Sequence, residues 1–135
     1  MSKPMPAIEV EDLVKVYQGP PAVDGISIAI EPGSVTGLLG GNGAGKTTTI
    51  ASIMGLLRPT SGRVRVLGAD MNRDRHRVLH RMNFQSPYVD LPGRLTVRQN
   101  LITFARLYGL DDPKGRTNEL AGELDLADFI DRPTG

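Results

Sequence analysis

This chain has no cysteine among its 135 residues, which removes disulfides, zinc-ribbon sites and thiol catalysis from its repertoire. It has almost no charge imbalance. Sixteen Lys and Arg against fifteen Asp and Glu leave a net charge of +1, so no global field steers it toward nucleic acid or a membrane surface. No apolar run approaches the ~18 residues that a spanning helix needs. Met1 to Pro6 leads into no apolar segment of the kind that a secretory signal carries. These absences predict a soluble, cytoplasmic chain that meets a membrane only through a partner. Metal-ligand clusters are scarce as well. His76 and His80 could share a helix face, but no third ligand accompanies them and H-E-x-x-H is absent. The length allows one domain or part of one, and 39% hydrophobic with 23% charged residues is within the globular range.

What is present is concentrated in one stretch. Gly40-Gly41-Asn42-Gly43-Ala44-Gly45-Lys46-Thr47 fits G-x-x-x-x-G-K-[ST], the loop that wraps nucleotide phosphates. Its glycines permit positive φ and let the backbone approach phosphate oxygens without an intervening Cβ. Successive N–H groups then face one concavity at a helix N-terminus, where the partial positive charge favours an anion. In this motif Lys46 reaches the β- and γ-phosphates, the Thr47 hydroxyl ligates Mg²⁺, and Thr48 holds the α- or β-phosphate. The flanks agree with that reading. Ser34 to Leu39 reads as a buried strand, and Thr48 to Leu57 as a helix that turns Ile50, Ile53, Met54 and Leu57 toward a sheet.

The rest of the chain supplies a scaffold. Ile8 to Tyr17 and Ala22 to Ile30 largely alternate apolar and polar residues, as half-exposed strands do, with Gln18-Gly19-Pro20-Pro21 as the turn between them. Arg63 to Leu67 is a further strand, Gly68-Ala69-Asp70 a turn, Asn72 to His80 a short basic helix, and Arg81 to Gln85 a strand. Thr96-Val97-Arg98-Gln99 has capping-box form. It opens a helix with Val97, Leu101, Phe104, Ala105 and Tyr108 on one stripe and Gly109 at its end. A last helix covers Thr117 to Leu124. The basic cluster Arg73, Arg75, His76, Arg77, His80 and Arg81 has no interleaved aromatic, so it reads as a solvated face and not as a nucleic-acid surface. The fold class is therefore α/β: a small antiparallel β-layer leading into a phosphate-loop β–α core.

With these motifs in place, the chain resembles the ATP-binding subunit of an ABC transporter, a branch of the P-loop NTPases. Gly40 to Thr49 is close to that family's G-P-N-G-A-G-K-T-T. Leu56-Leu57-Arg58-Pro59-Thr60-Ser61-Gly62-Arg63-Val64 resembles its G-L-L-x-P-T-S-G-x-V, and Leu95 to Leu101 its L-T-V-x-E-N-L. Gln85 falls where the family's Q-loop glutamine sits, and Tyr17 where its adenine-stacking aromatic sits. The resemblance implies ATP and Mg²⁺ as ligands, held by Tyr17 and by Gly40, Gly41, Asn42, Gly43, Ala44, Gly45, Lys46, Thr47 and Thr48. Gln85 would reach the metal or the attacking water, so that Lys46 and Gln85 carry the catalytic roles and Thr47 and Gln85 the metal roles. It divides the chain into a β-layer and phosphate-loop core at 1–84 and a Q-loop with part of a helical subdomain at 85–135. The segment from Ser86 to Tyr108 would dock onto a transmembrane permease, and a second ATP-binding domain would complete the site.

The resemblance also carries departures. Gly41 stands where the family has proline, and Gln99 where it has glutamate. A tail such as Asp131-Arg132-Pro133-Thr134-Gly135 precedes the family's L-S-G-G-Q signature, so the signature, the acidic metal-binding strand and the switch histidine would lie beyond Gly135. The implied protein is thus an exporter-like ATPase truncated before its signature, unable to turn over ATP alone. A non-transport ABC ATPase of translation or DNA repair is the alternative, or an inactive fragment that binds nucleotide weakly.

Overall fold

The alternation of Ile8, Val10 and Leu13 with charged residues builds the first strand, β1 (Ile8–Lys15), in a computed structural model that describes residues 5–86 and 90–135. The chain divides into two units between Met82 and Asn83. In the first, β1 pairs antiparallel with β2 (Val23–Ile30) on one side and with β3 (Ser61–Val66) on the other. A short β4 (Ala69–Asp70) completes a sheet of order β2-β1-β3-β4.

The register sorts the side chains. Ile8 opposes Val66 and Val10 opposes Val64, while Glu9 opposes Arg65 and Glu11 opposes Arg63. Arg65 bridges Glu9 and Glu11, and Arg63 lies 3.5 Å from Glu11, giving one charged face. Val10 and Leu13 are both buried although three apart, which strict alternation forbids. Asp12, at φ +45°, forms a bulge that resets the register between them. The bulge presses its carbonyl onto β3. A Cβ on Gly62 would stand 2.3 Å from the Asp12 oxygen, so only glycine fits there.

The segment expected to form a turn at Gly68-Ala69-Asp70 is a tight hairpin instead. Leu67 and Gly68, both at positive φ, make a two-residue loop, and Ala69 already pairs with Val66.

Helix α1 (Lys46–Ile53) lies between β2 and β3 in sequence. It ends at Ile53, four residues before the expected Leu57, and buries a different face. Thr49 and Ser52 are buried, whereas Ile50 is exposed and Ile53 only partly covered. Their hydroxyls donate to the Gly45 and Thr48 carbonyls one turn back, at 2.9 Å each. These small residues, with their polarity satisfied internally, let the helix approach its neighbours closely.

Three expected elements do not form. Ser34 to Leu39 joins no sheet among the described residues, and Val35 and Leu39 stand almost fully exposed. An apolar run becomes a buried strand only when another strand's edge receives it, and among the described residues the first unit's four strands pair with one another and not with this segment. The basic run forms two 3-10 turns, Arg75–Arg77 and Leu79–Arg81, in place of a helix. An α-helix would set Arg73 against Arg77 and Arg77 against Arg81 at like-charge i,i+4 spacing. Val78 anchors this stretch in the core, and its cationic residues are exposed, with Arg75 donating to Gly55 O at 2.7 Å. Arg81 to Gln85 forms no strand either. The Asn83 side chain accepts from the Phe84 N–H at 2.7 Å, taking a donor that a ladder would need.

The second unit contains α2 (Val97–Leu107) and α3 (Pro113–Glu123) packed together. The Thr96 hydroxyl accepts from Gln99 N at 3.1 Å, and Gln99 Oε1 accepts from Thr96 N at 2.9 Å. Glutamine therefore completes the capping box where glutamate is usual. Along α2, Val97, Leu101 and Ala105 are half-buried, while Phe104 and Tyr108 stay exposed. The last helix begins four residues before the expected Thr117, because Asp112 caps Gly115 N at 2.9 Å and Pro113 occupies the first turn.

The final residues fold back on the start of α2. Val97 N donates to Arg132 O, Thr134 N to Leu95 O and Gly135 N to Gly93 O, all within 3.1 Å. Asn100, buried in the same place, donates from Nδ2 to Pro92 O, Thr96 O and Thr134 Oγ1. Residues 87–89, within the expected docking segment 86–108, lie outside the described residues.

Candidate functional site

The loop between Gly40 and Thr48 folds around its own lysine. Lys46 Nζ donates to Gly40 O at 2.6 Å and to Gly41 O at 2.7 Å, drawing the loop into a closed turn at the N-terminus of α1. Gly43 and Gly45 sit near φ +80°, where a side chain is strained. Gly45 is also sterically committed. A Cβ there would lie 2.4 Å from Ala22 O and 2.9 Å from Val23 Cγ2, so the loop packs directly on the start of β2.

The result is a cavity of about 380 Å³ lined by Ala22 and by Asn42, Gly43, Ala44, Gly45, Lys46, Thr47 and Thr48. Among the described residues no carboxylate lines it, and the cation lining it is the Lys46 ammonium. Such a concavity, with one ammonium and the N–H groups opening a helix, accepts an anion of several oxygens. The residues also fit a magnesium nucleotide. Thr47 offers an exposed hydroxyl as metal ligand, and Mg²⁺ commonly takes its remaining oxygens from phosphates and water. Gly40 and Gly41 contribute through their carbonyls' hold on Lys46, not as cavity lining. The proline-to-glycine departure at Gly41 therefore leaves the lysine contact intact.

The structure gathers seven of the expected site residues, 42 to 48, around this cavity. Tyr17 is elsewhere in the first unit. It lies just past the end of β1, is 60% exposed, and does not line the cavity. Gln85 belongs to the second unit. There it lines a largely apolar cleft of about 590 Å³ with Phe84, Leu101, Phe104, Tyr108 and Leu120 among others. Sequence reasoning missed Ala22, which no motif marks, because only the tertiary fold brings the start of β2 under the loop.

The sequence profile of the ABC transporter family matches residues 23–135. This chain belongs to the ABC transporter family. Within it, the chain is 40% identical over 133 residues to the daunorubicin/doxorubicin resistance ATP-binding protein DrrA of Streptomyces peucetius, covering 97% of this chain and 40% of that protein. It is 38% identical over 106 residues to the bacitracin transport ATP-binding protein BcrA of Bacillus licheniformis, covering 76% and 34%. Among solved structures it matches an ATP-binding subunit of an ABC transporter with a TM-score of 0.79 at 26% identity, over 94% of this chain and 54% of that one. A nucleotide-free ATP-binding cassette from an ABC transporter matches with a TM-score of 0.74 at 28% identity, over 97% and 58%. The chain thus spans less than half the length of these curated relatives. Its architecture is that of the N-terminal part of a P-loop ABC fold. Among the described residues no helix is long and apolar enough to cross a membrane, and no group of three or more His, Cys, Asp or Glu could hold a metal ion.

Proposed function

We propose that this chain is the phosphate-gripping part of an ABC transporter's ATP-binding subunit, binding ATP with Mg²⁺ at residues 40–48. The observation that carries this reading is the loop's geometry. The Lys46 ammonium lies inside a turn of its own carbonyls at a helix N-terminus, in a concavity whose walls are backbone and small side chains. When a triphosphate binds, Lys46 exchanges its loop carbonyls for phosphate oxygens, and the N–H groups opening α1 face the same charge. Thr47 would hold Mg²⁺ through its hydroxyl, and the ion would supply charge neutralisation to the bound phosphates. Tyr17 would stack on the adenine, and the family resemblance gives Gln85, a residue of the second unit, the role of acting on the metal or the attacking water.

The wider reading follows the relatives' roles in drug resistance and bacitracin transport. The subunit works at the cytoplasmic face of a membrane, with a transmembrane permease and a second ATP-binding domain as partners, and couples ATP hydrolysis to export of a drug-like compound. Residues 1–84 form its nucleotide core and 85–135 its helical side. Binding alone is expected of these 135 residues, because phosphoryl transfer also needs a positioned water and further charge stabilisation. Calorimetric titration with Mg-ATP tests the core of the proposal. Lys46→Ala should abolish binding, and an unchanged affinity would defeat the assignment.

A further inference from the structure

Lys15 ends β1, and its ammonium has two partners. It donates to Arg58 O at 3.0 Å, and it stands over the Tyr17 ring, 5.1 Å from the centroid. Both partners lead to the nucleotide loop. Arg58 lies on the segment leaving α1, the helix that Lys46 opens. Tyr17 lies on the loop that runs to Ala22, a wall of the phosphate cavity, and Ala22 N closes that loop by donating to Lys15 O at 2.8 Å.

The backbone beside the ring is fixed from the other side too. Thr60 Oγ1 accepts from Val16 N at 3.0 Å, and Thr60 N donates to Val14 O at 2.9 Å. Tyr17 therefore hangs from a pinned backbone, with one ring face under a cation and most of its surface in solvent. An exposed tyrosine without such a partner would sample several rotamers, and a stacking ligand would have to select one.

We propose that Lys15 is a positioning residue for nucleobase recognition: it holds one face of Tyr17 so that the opposite face receives a purine base. This rests on the reading of residues 40–48 as a nucleotide site and of Tyr17 as its stacking aromatic. The ammonium orients the ring by attraction to its negative face. It also draws electron density toward itself, so the free face repels an electron-rich purine less. Stacking tolerates any base, so the device raises affinity for purine nucleotides in general and does not separate ATP from GTP.

The test compares two probes, Mg-ATP and inorganic tripolyphosphate, by calorimetry on the full chain. Lys15→Met should weaken ATP binding roughly two- to five-fold, the equivalent of an exposed cation–π contact, and leave tripolyphosphate unaffected, because it has no base. Lys15→Gln, which keeps a donor for the Arg58 carbonyl but no charge, should show the same split, and Lys15→Arg should restore most of the ATP affinity. In a Tyr17→Leu background, Lys15→Met should add nothing. Equal losses for both probes, native ATP affinity in Lys15→Gln, or a loss that persists without Tyr17 would each overturn the positioning role. Binding of neither probe by the native chain, or indifference of both to Lys46→Ala, would instead overturn the nucleotide site beneath it.

Discussion

Replacing Gly45 by alanine separates two demands that the phosphate loop places on one position. The first is conformational. At φ +80° a side chain costs about 1–2 kcal/mol. The second is steric. The new Cβ would sit 2.4 Å from Ala22 O, where ordinary contact begins near 3.4 Å, so either the loop or the start of β2 must shift by about 1 Å. Overpacking of that kind costs a further 1–3 kcal/mol or so. Gly43 is the control. Its φ is +81°, but a Cβ there would meet nothing within 4 Å. Gly43→Ala should therefore lose only the conformational share, about 1–2 kcal/mol, against about 2–5 for Gly45→Ala. Urea denaturation reads both. With slopes of about 1–3 kcal/mol/M, the Gly45→Ala midpoint should fall by on the order of 1 M and clearly below that of Gly43→Ala. Since Ala22 also lines the cavity, the same variant should weaken ATP binding. Equal midpoints for the two variants would refute the claim that the loop rests on β2.

The strap at the end of the second unit makes two further outcomes checkable. Asn100→Asp turns an amide that donates to three oxygens into an acceptor among acceptors, in a position only 3% exposed. It should destabilise by about 3–5 kcal/mol, the range for an uncompensated buried charge, with faster amide exchange at Thr134 and Gly135; an unchanged midpoint would show that this cluster holds nothing. Asp131 is bonded to Arg98 at 2.7 Å, and that hydrogen bond holds its carboxyl below the ordinary 3.8. A depressed carboxylate pKa contributes stability above the unfolded value and loses it as pH falls through the folded one. The contribution should accordingly be complete at neutral pH, begin to fade as pH falls past about 4, the unfolded value, and be gone only below the lower folded one. Asp131→Asn should flatten that part of the stability profile, and an identical acid profile for the two proteins would count against the pair.

Local chemistry made the phosphate loop, the capping box at Thr96 and the hairpin strands legible before any fold was known. In each, the determining interactions lie within a few residues, as when Gln99 closes on Thr96. Periodicity misjudged α1, because Thr49 and Ser52 look solvent-facing until their hydroxyls are seen bonded one turn back. It misjudged Ser34 to Leu39 for a different reason. An apolar run reports a preference for burial, and burial depends on neighbours that a strand's own sequence does not contain. The start of α3 is legible in Asp112-Pro113, a cap followed by a first-turn proline, four residues before the expected Thr117.

By itself, then, the sequence determined the family, the glycine-lysine motif of Gly40 to Thr48 on which the proposed phosphate site rests, and the caps that start the second unit's helices. Those properties rest on residue types at fixed short spacing, which any fold containing the segment must respect. Only the tertiary structure decided that Ala22 walls the cavity, that Gly45 cannot be enlarged and that the Lys15 ammonium reaches both Arg58 and the Tyr17 ring. These are contacts between segments up to 43 residues apart. Sheet pairing and chain reversal bring them within a few ångströms, and neither can be read from a residue's immediate neighbours.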